Sequence, residues 1–285
     1  MKVKELKDVC EEYIAELIAE ISETKNEQRF LNYLDFCSRF HRYSFRNRVL
    51  IWFYKPDATF VAGFKAWQKM GRKVKKGASG IPIFAPMAIR KQKEIDEEIE
   101  DEADVRDLLR FKVVYVFDVS QTEGDPLPEM DILKVYGETQ LLGPLENFTK
   151  TQGIQLTYSE KTLEFLKAVG VSTSGGIHIK ASLDDSQRFY VLSHELAHEL
   201  LHDLQARRTL STKVKELEAD TTAYVVSRHF GLKTQSSAYL ALYQVEGVDV
   251  KESLARIVST ASKIICGIHE ADKAQQAKQN LREAA

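Results

Sequence analysis

At 285 residues the chain has room for two domains of ordinary size, and 44% hydrophobic with 29% charged residues is the balance of a soluble globular protein, which excludes a disordered or membrane-embedded chain. The formal net charge of -2 singles out no partner, and Cys10, Cys37 and Cys266 are too widely spaced for a metal cage or disulfide framework, so a reducing compartment is expected. The opening "MKVKELKDVCEEYIAELIAEI" scatters charge along an amphipathic helix instead of forming a signal peptide, no run approaches the roughly 20 apolar residues of a spanning helix, and the expected location is cytoplasmic with no membrane partner.

In chain order, apolar residues recur at helical spacing from Lys4 to Ile21, and "NEQRFLNYLDFCSRFHRYSFRNRVLIWFY" extends the helical character to about Tyr54. "YKPDATF" breaks it at a proline, a short helix follows at "GFKAWQKM", and the glycines of "GRKVKKGASG" mark turns. "IPIFAP" and "FKVVYVFDVS" read as paired strands, and the acidic stretch from Glu94 to Asp107 between them as a solvated excursion. "EGDPLPEM" is the candidate linker, giving an N-terminal domain over 1–130 and a C-terminal domain over 131–285. The second half starts with a helix around "LENFTKTQ" and strands at "IQLTYS" and "GGIHIKAS". Helices then run to the C-terminus.

The first of these later helices holds "FYVLSHELAHELLHDL". Positions i and i+4 lie about 40° apart around a helix, so His194 and His198 aim their imidazoles at one point, and Glu195 beside them reaches a metal-bound water without being a ligand. Upstream Asp and Ser residues suit an N-cap, which places the motif in the body of the helix. A catalytic zinc needs a third protein ligand and one open position. "TKVKELEADTTAYVVSRHFG" is helical and presents Glu216, Ala219, Asp220, Ala223 and Ser227 on one face. The alanines permit close approach, bringing Glu216 to the metal and Asp220 to a hydrogen bond with a ligand histidine. Glu218 projects from nearly the opposite side, so Glu216 is favoured over it. His202 and His178 are expected to be a surface residue and a structural one. No residue is identified to stabilise an oxyanion: Tyr224 and His229 are candidates, but each is expected to be an ordinary packed or surface residue of its helix.

His-Glu-x-x-His followed by Glu-x-x-x-Asp on a second helix resembles the gluzincin arrangement of thermolysin-like peptidases, and "HELAHELLH" with "KELEADTTA" is similar to the ImmA/IrrE metallopeptidases. The resemblance implies that His194, His198 and Glu216 hold Zn2+, with Glu195 as the base that activates water against a peptide bond of a protein or peptide substrate.

The average charge conceals a basic stretch. From Arg29 to Arg90 thirteen lysines and arginines face only Asp35 and Asp57, interleaved with aromatic residues, which supplies cations for phosphates and π-faces for bases. Candidate nucleic-acid contacts are Arg42, Tyr43, Arg46, Trp67, Arg72, Lys73, Lys75 and Lys76. About two-thirds of the aromatics are expected to serve packing, and the "GRKVKKG" turn is the better exposed surface. "FHRYSFRNRVLIW", "PDATFVAGFKAWQKMGRKVKKGASGIPIFAP" and "VYVFDVSQTEGDPLP" resemble, in order, the N-terminal single-stranded-DNA-binding domain of ArdC-type antirestriction proteins, which join it to a zincin-like metallopeptidase domain. The expected fold is therefore α+β in two domains: a helix-rich α+β DNA-binding domain, then a zincin-like (gluzincin) domain. The expected function is single-stranded DNA binding with zinc-dependent endopeptidase activity in an antirestriction or mobile-element setting. The alternatives are a DNA-protecting module with an idle structural zinc, or an ImmA-like repressor-cleaving peptidase whose N-terminal domain binds protein.

Overall fold

The computed structural model describes residues 1–22, 27–87, 111–125, 140–160, 163, 168–232 and 249–283. The acidic stretch from Glu94 to Asp107 and most of the "EGDPLPEM" linker lie outside them. The chain forms two compact units, the first of Met1–Leu17 with Arg46–Pro128, the second of Ile18–Phe45 with Glu129–Ala285.

The expected long helical stretch after residue 26 is two helices, α2 (Glu27–Arg39) and α3 (Phe45–Tyr54), separated by a turn, with α1 (Val3–Ser22) before them. In the first unit Leu6, Cys10, Ile14 and Leu17 form the buried stripe of α1, repeating at the three-to-four-residue spacing of one helix face, and Val49, Leu50, Ile51 and Trp52 are the buried apolar residues of α3. A three-stranded antiparallel sheet runs in the order β1 (Val61–Gly63), β4 (Phe111–Asp118), β3 (Ile81–Pro86), so the two strands read from sequence do pair, with Ile81 opposite Val116 and Ile83 opposite Val114. The outer edge of β3 is closed by Asn47, whose side-chain amide donates to the Phe84 carbonyl and accepts from the Phe84 N–H, both at 2.9 Å, in place of a further strand. Buried Asp118 accepts from the backbone of Thr59, Phe60 and Ser120 and so fixes the entry to β1. Helix α4 (Phe64–Lys69) is followed by β2 (Arg72–Val74), within the stretch read as turns, which pairs antiparallel with β5 (Thr122–Gly124).

The second unit is built on α5 (Leu142–Thr151), α6 (Asp185–Leu201), α7 (Leu204–Thr209), α8 (Thr212–His229) and the 34-residue α9 (Val250–Glu283), with α2 packed against α8. Its sheet has β6 (Gln155–Tyr158) parallel to β8 (Gly176–Ile179) and β7 (Gly170–Ser172) antiparallel to β8, which leaves β7 at an edge, beside α6. Leu254, Ile257, Val258, Ala261, Ile264, Ile265 and Ile268 make the apolar seam of α9. The two units give the α+β, two-domain class expected from sequence.

Candidate metal centre

Helix α6 starts with a capping box: the Asp184 carboxylate accepts from the Gln187 N–H at 2.8 Å and the Gln187 side chain accepts from the Asp184 N–H at 3.1 Å, so the first turn is fixed two turns ahead of the histidines. Further along, Glu199 accepts from the backbone N–H groups of Ser174 (3.0 Å) and Gly175 (2.7 Å) and from the Ser172 hydroxyl, fastening α6 to the β7–β8 turn. One turn earlier, Glu195 lies against β7 and receives the Ser172 backbone N–H. That approach requires Gly170, because a Cβ there would lie 2.8 Å from the Glu195 carboxylate oxygen and overlap Val191.

His194 Nε2 and His198 Nε2 are 3.1 Å apart, and the Glu216 carboxylate of α8 presents one oxygen to each, at 3.5 and 3.6 Å. These three side chains form the one metal-competent group among the described residues, their ligand atoms all within 4.8 Å of one another. A tetrahedral ion with bonds of about 2.0–2.1 Å has ligand atoms about 3.3–3.4 Å apart, so the spacing fits. Two imidazole nitrogens and one carboxylate are a donor set for a divalent first-row ion, and Glu216, with its side chain 57% exposed, leaves the site open to solvent on one side. Ala219 and Ala223, both fully buried, keep α8 close to α6. Asp220 has an oxygen 3.9 Å from His194 Nδ1, longer than a hydrogen bond, and its firm partner is the Tyr190 hydroxyl, which donates to it.

The charges are strongly coupled. Burial pushes the Glu195 carboxyl up to about 7, Glu216 and Glu199 add to the rise, and His194 and the Ser172 N–H oppose it. Burial would depress His194, but Glu216, Glu195 and Asp220 together raise it. Glu216 is lowered, chiefly by its contact with His194.

One expectation in this unit, that for His202, is corrected, while Glu218, Tyr224 and His229 take the places expected of them. His202 is not a surface residue: it is 1% exposed, with Nδ1 3.1 Å from His198 Nδ1 and Nε2 3.0 Å from Glu218. Glu218 does face away from the histidine pair, but into the protein, fully buried against Ser253 and Arg256 of α9. Tyr224 and His229 are engaged with α2 in place of any oxyanion: the Tyr224 hydroxyl donates to Asp35, which also holds Arg228, and His229 Nδ1 donates to the Ser38 carbonyl at 2.8 Å.

The candidate DNA contacts scatter. Arg42 and Tyr43 belong to the second unit and the other six to the first. Trp67 is withdrawn as a stacking platform: it is fully buried and its Nε1–H donates to the Phe117 carbonyl at 2.9 Å. Arg72 is committed to structure too, donating to the Thr122 hydroxyl and to the carbonyls of Thr122, Gly124 and Asp125. Arg46 pairs with Glu11 at 2.9 Å on the surface. Lys73, Lys75 and Lys76 are exposed on β2 and the turn after it, Lys75 donating to the Ser120 carbonyl. Residues that composition did not single out, such as Tyr115, add exposed aromatic surface to Phe64 and Tyr54 in the first unit.

Two α+β units, one carrying His-Glu-x-x-His and a downstream glutamate converged on one point, have the arrangement expected of a protein with a zincin-like domain. Comparison with known proteins makes this specific. Residues 7–117 match the family model of the N-terminal domain of anti-restriction factor ArdC, and residues 149–235 that of the IrrE N-terminal-like domain, a peptidase family. The chain is thus similar to an ArdC N-terminal domain over its first matched stretch and to an IrrE-like peptidase-family domain over its second. An uncharacterised protein of Bacillus anthracis is 25% identical over 93% of this chain and 52% of its own length, so the chain spans about half of that relative. Among solved structures, the metal-free antirestriction ArdC protein of a plasmid aligns with a TM-score of 0.43 at 19% identity over 81% of this chain and 86% of its own. Its Mn(II)-bound form aligns at 0.43 and 18%, over 81% and 85%.

Proposed function

We propose that the chain is a zinc-dependent endopeptidase joined to a domain that binds single-stranded DNA, in the antirestriction setting that its ArdC-like domain suggests, with the division between domains near residue 130. The observation that carries the peptidase reading is the convergence of His194, His198 and Glu216 with Glu195 beside them. In this reading those three residues hold the ion, which when bound lowers the pKa of water and polarises the scissile carbonyl. Glu195, beside the ligand histidines and held against β7, would accept the proton of the attacking water and deliver it to the departing amine, ending in its starting state. Asp220, fixed by Tyr190 with an oxygen 3.9 Å from His194 Nδ1, puts negative charge on that side of the ring and so electrostatically favours the tautomer that leaves Nε2 unprotonated. Lys73, Lys75 and Lys76, with the exposed rings of Phe64, Tyr54 and Tyr115, support the DNA reading, because they supply exposed cations and faces in the first unit.

Elemental analysis of the purified chain should find about one zinc, lost in Glu216→Ala. In a casein-digestion assay Glu195→Gln should keep the zinc and abolish cleavage. Zinc held equally well without Glu216, or cleavage that survives in Glu195→Gln, would refute the assignment.

A further inference from the structure

His202 carries a hydrogen-bond path from the candidate metal centre to the C-terminal helix. Its Nδ1 lies 3.1 Å from His198 Nδ1 and its Nε2 lies 3.0 Å from a Glu218 oxygen. The other Glu218 oxygen receives the Ser253 hydroxyl and the Arg256 guanidinium, both from α9. The proton count admits one arrangement with both imidazoles neutral and His198 Nε2 free to bind a cation. His198 then carries its proton on Nδ1 and donates to His202 Nδ1, which leaves the His202 proton on Nε2, facing Glu218. The two Glu218 oxygens face three donors, the His202 imidazole on one and the Ser253 hydroxyl and Arg256 guanidinium on the other, so the carboxylate is the acceptor that ends the path.

We infer that His202 and Glu218 are positioning residues: through His198 Nδ1 they fix the tautomer and ring orientation that present His198 Nε2 to the metal, and Ser253 and Arg256 of α9 hold Glu218 in place to do so. This rests on the reading of His194, His198 and Glu216 as ligands. The two histidines are thereby supported from different directions, His194 from Tyr190 and Asp220, His198 from a chain that ends on α9. Removing such outer partners typically costs about 10–100-fold in metal affinity.

The test measures zinc affinity by chelator competition, and the visible spectrum of the Co(II)-loaded protein, for the full chain and two variants. His202→Leu keeps most of the volume and breaks the path. His202→Gln keeps an amide whose oxygen and nitrogen bridge the same two partners. The expected result is a 10–100-fold weaker affinity and an altered Co(II) spectrum for His202→Leu, with His202→Gln within about threefold of the wild type. A folded His202→Leu with wild-type affinity and spectrum would overturn the inference, as would His202→Gln as weak as His202→Leu. Should His202→Leu not fold, Arg256→Gln decides: the Arg256 side chain is 40% exposed, so the fold should survive, and affinity is expected to fall severalfold, an unchanged value counting against the inference. A wild type that takes up neither ion would instead reject the metal-site reading itself.

Discussion

At the scale of single residues, the centre depends on atoms that are absent as much as on those present. Gly170 is where β7 lets the Glu195 carboxylate settle against the strand, and a methyl group there would occupy its place. Gly170→Ala is therefore expected to leave zinc content unchanged while lowering peptidase turnover on the order of 100-fold, the cost of misplacing a catalytic group by about an ångström. Turnover within a factor of two of the wild type would show that Glu195 does not need this seat. His229 gives a pH prediction. Burial pushes its pKa down to about 4, His269 and Arg42 act in the same direction, and the Ser38 carbonyl opposes them. The folded state thus refuses a proton that the unfolded state accepts below about 6.5. The stability tied to the neutral ring is complete above that pH, declines as pH falls from about 6.5 to about 4, then levels, a loss on the order of 3 kcal/mol. Urea midpoints for the wild type and His229→Gln should converge across this window on acidification, whereas a constant difference would exclude His229 as the source.

At the scale of elements, α5 and α9 approach so closely that Gly267 lies against the Phe148 ring, and a Cβ at that position would collide with it. Gly267→Ala should destabilise the second unit by about 1–3 kcal/mol through overpacking, in spite of alanine's better helix propensity. A urea midpoint that rises would mean that the ring swings aside at no cost. Elements were legible in the sequence where their signal is local. The i, i+4 histidines, the Asp184 cap and the small-residue face of α8 all fall within a few turns, and the structure brings His194, His198 and Glu216 together as that face predicts. His202 was misjudged, and the partners of Glu218 could not be read, because a helical wheel assumes one buried side. Helix α8 is enclosed nearly all round, so the face opposite Glu216 meets α9 instead of water, and the partners Ser253 and Arg256 lie 35 and 38 residues further on. Trp67 illustrates the same limit, since composition counts aromatic rings without telling which one finds a backbone carbonyl 50 residues away.

At the scale of the whole molecule, the net charge of -2 averages a basic stretch with acidic ones. If Lys73, Lys75 and Lys76 contact phosphates, the affinity for a labelled single strand should fall steeply with salt. Replacing all three with Ser should reduce the log–log slope by up to about 2, at roughly 0.7 for each lost contact. An unchanged slope would place the DNA surface elsewhere in the chain. Burial of Glu218 between α8 and α9 has a consequence of another kind. Two equilibria that share a carboxylate are reciprocal: any factor by which the seating of α9 tightens the ion is the factor by which the ion tightens the seating of α9. Amide hydrogen exchange along Val250–Ile268 should accordingly slow when zinc is added, and quicken when it is chelated, although none of those residues touches the metal. The C-terminal helix would then report, at its own surface, whether the centre is loaded.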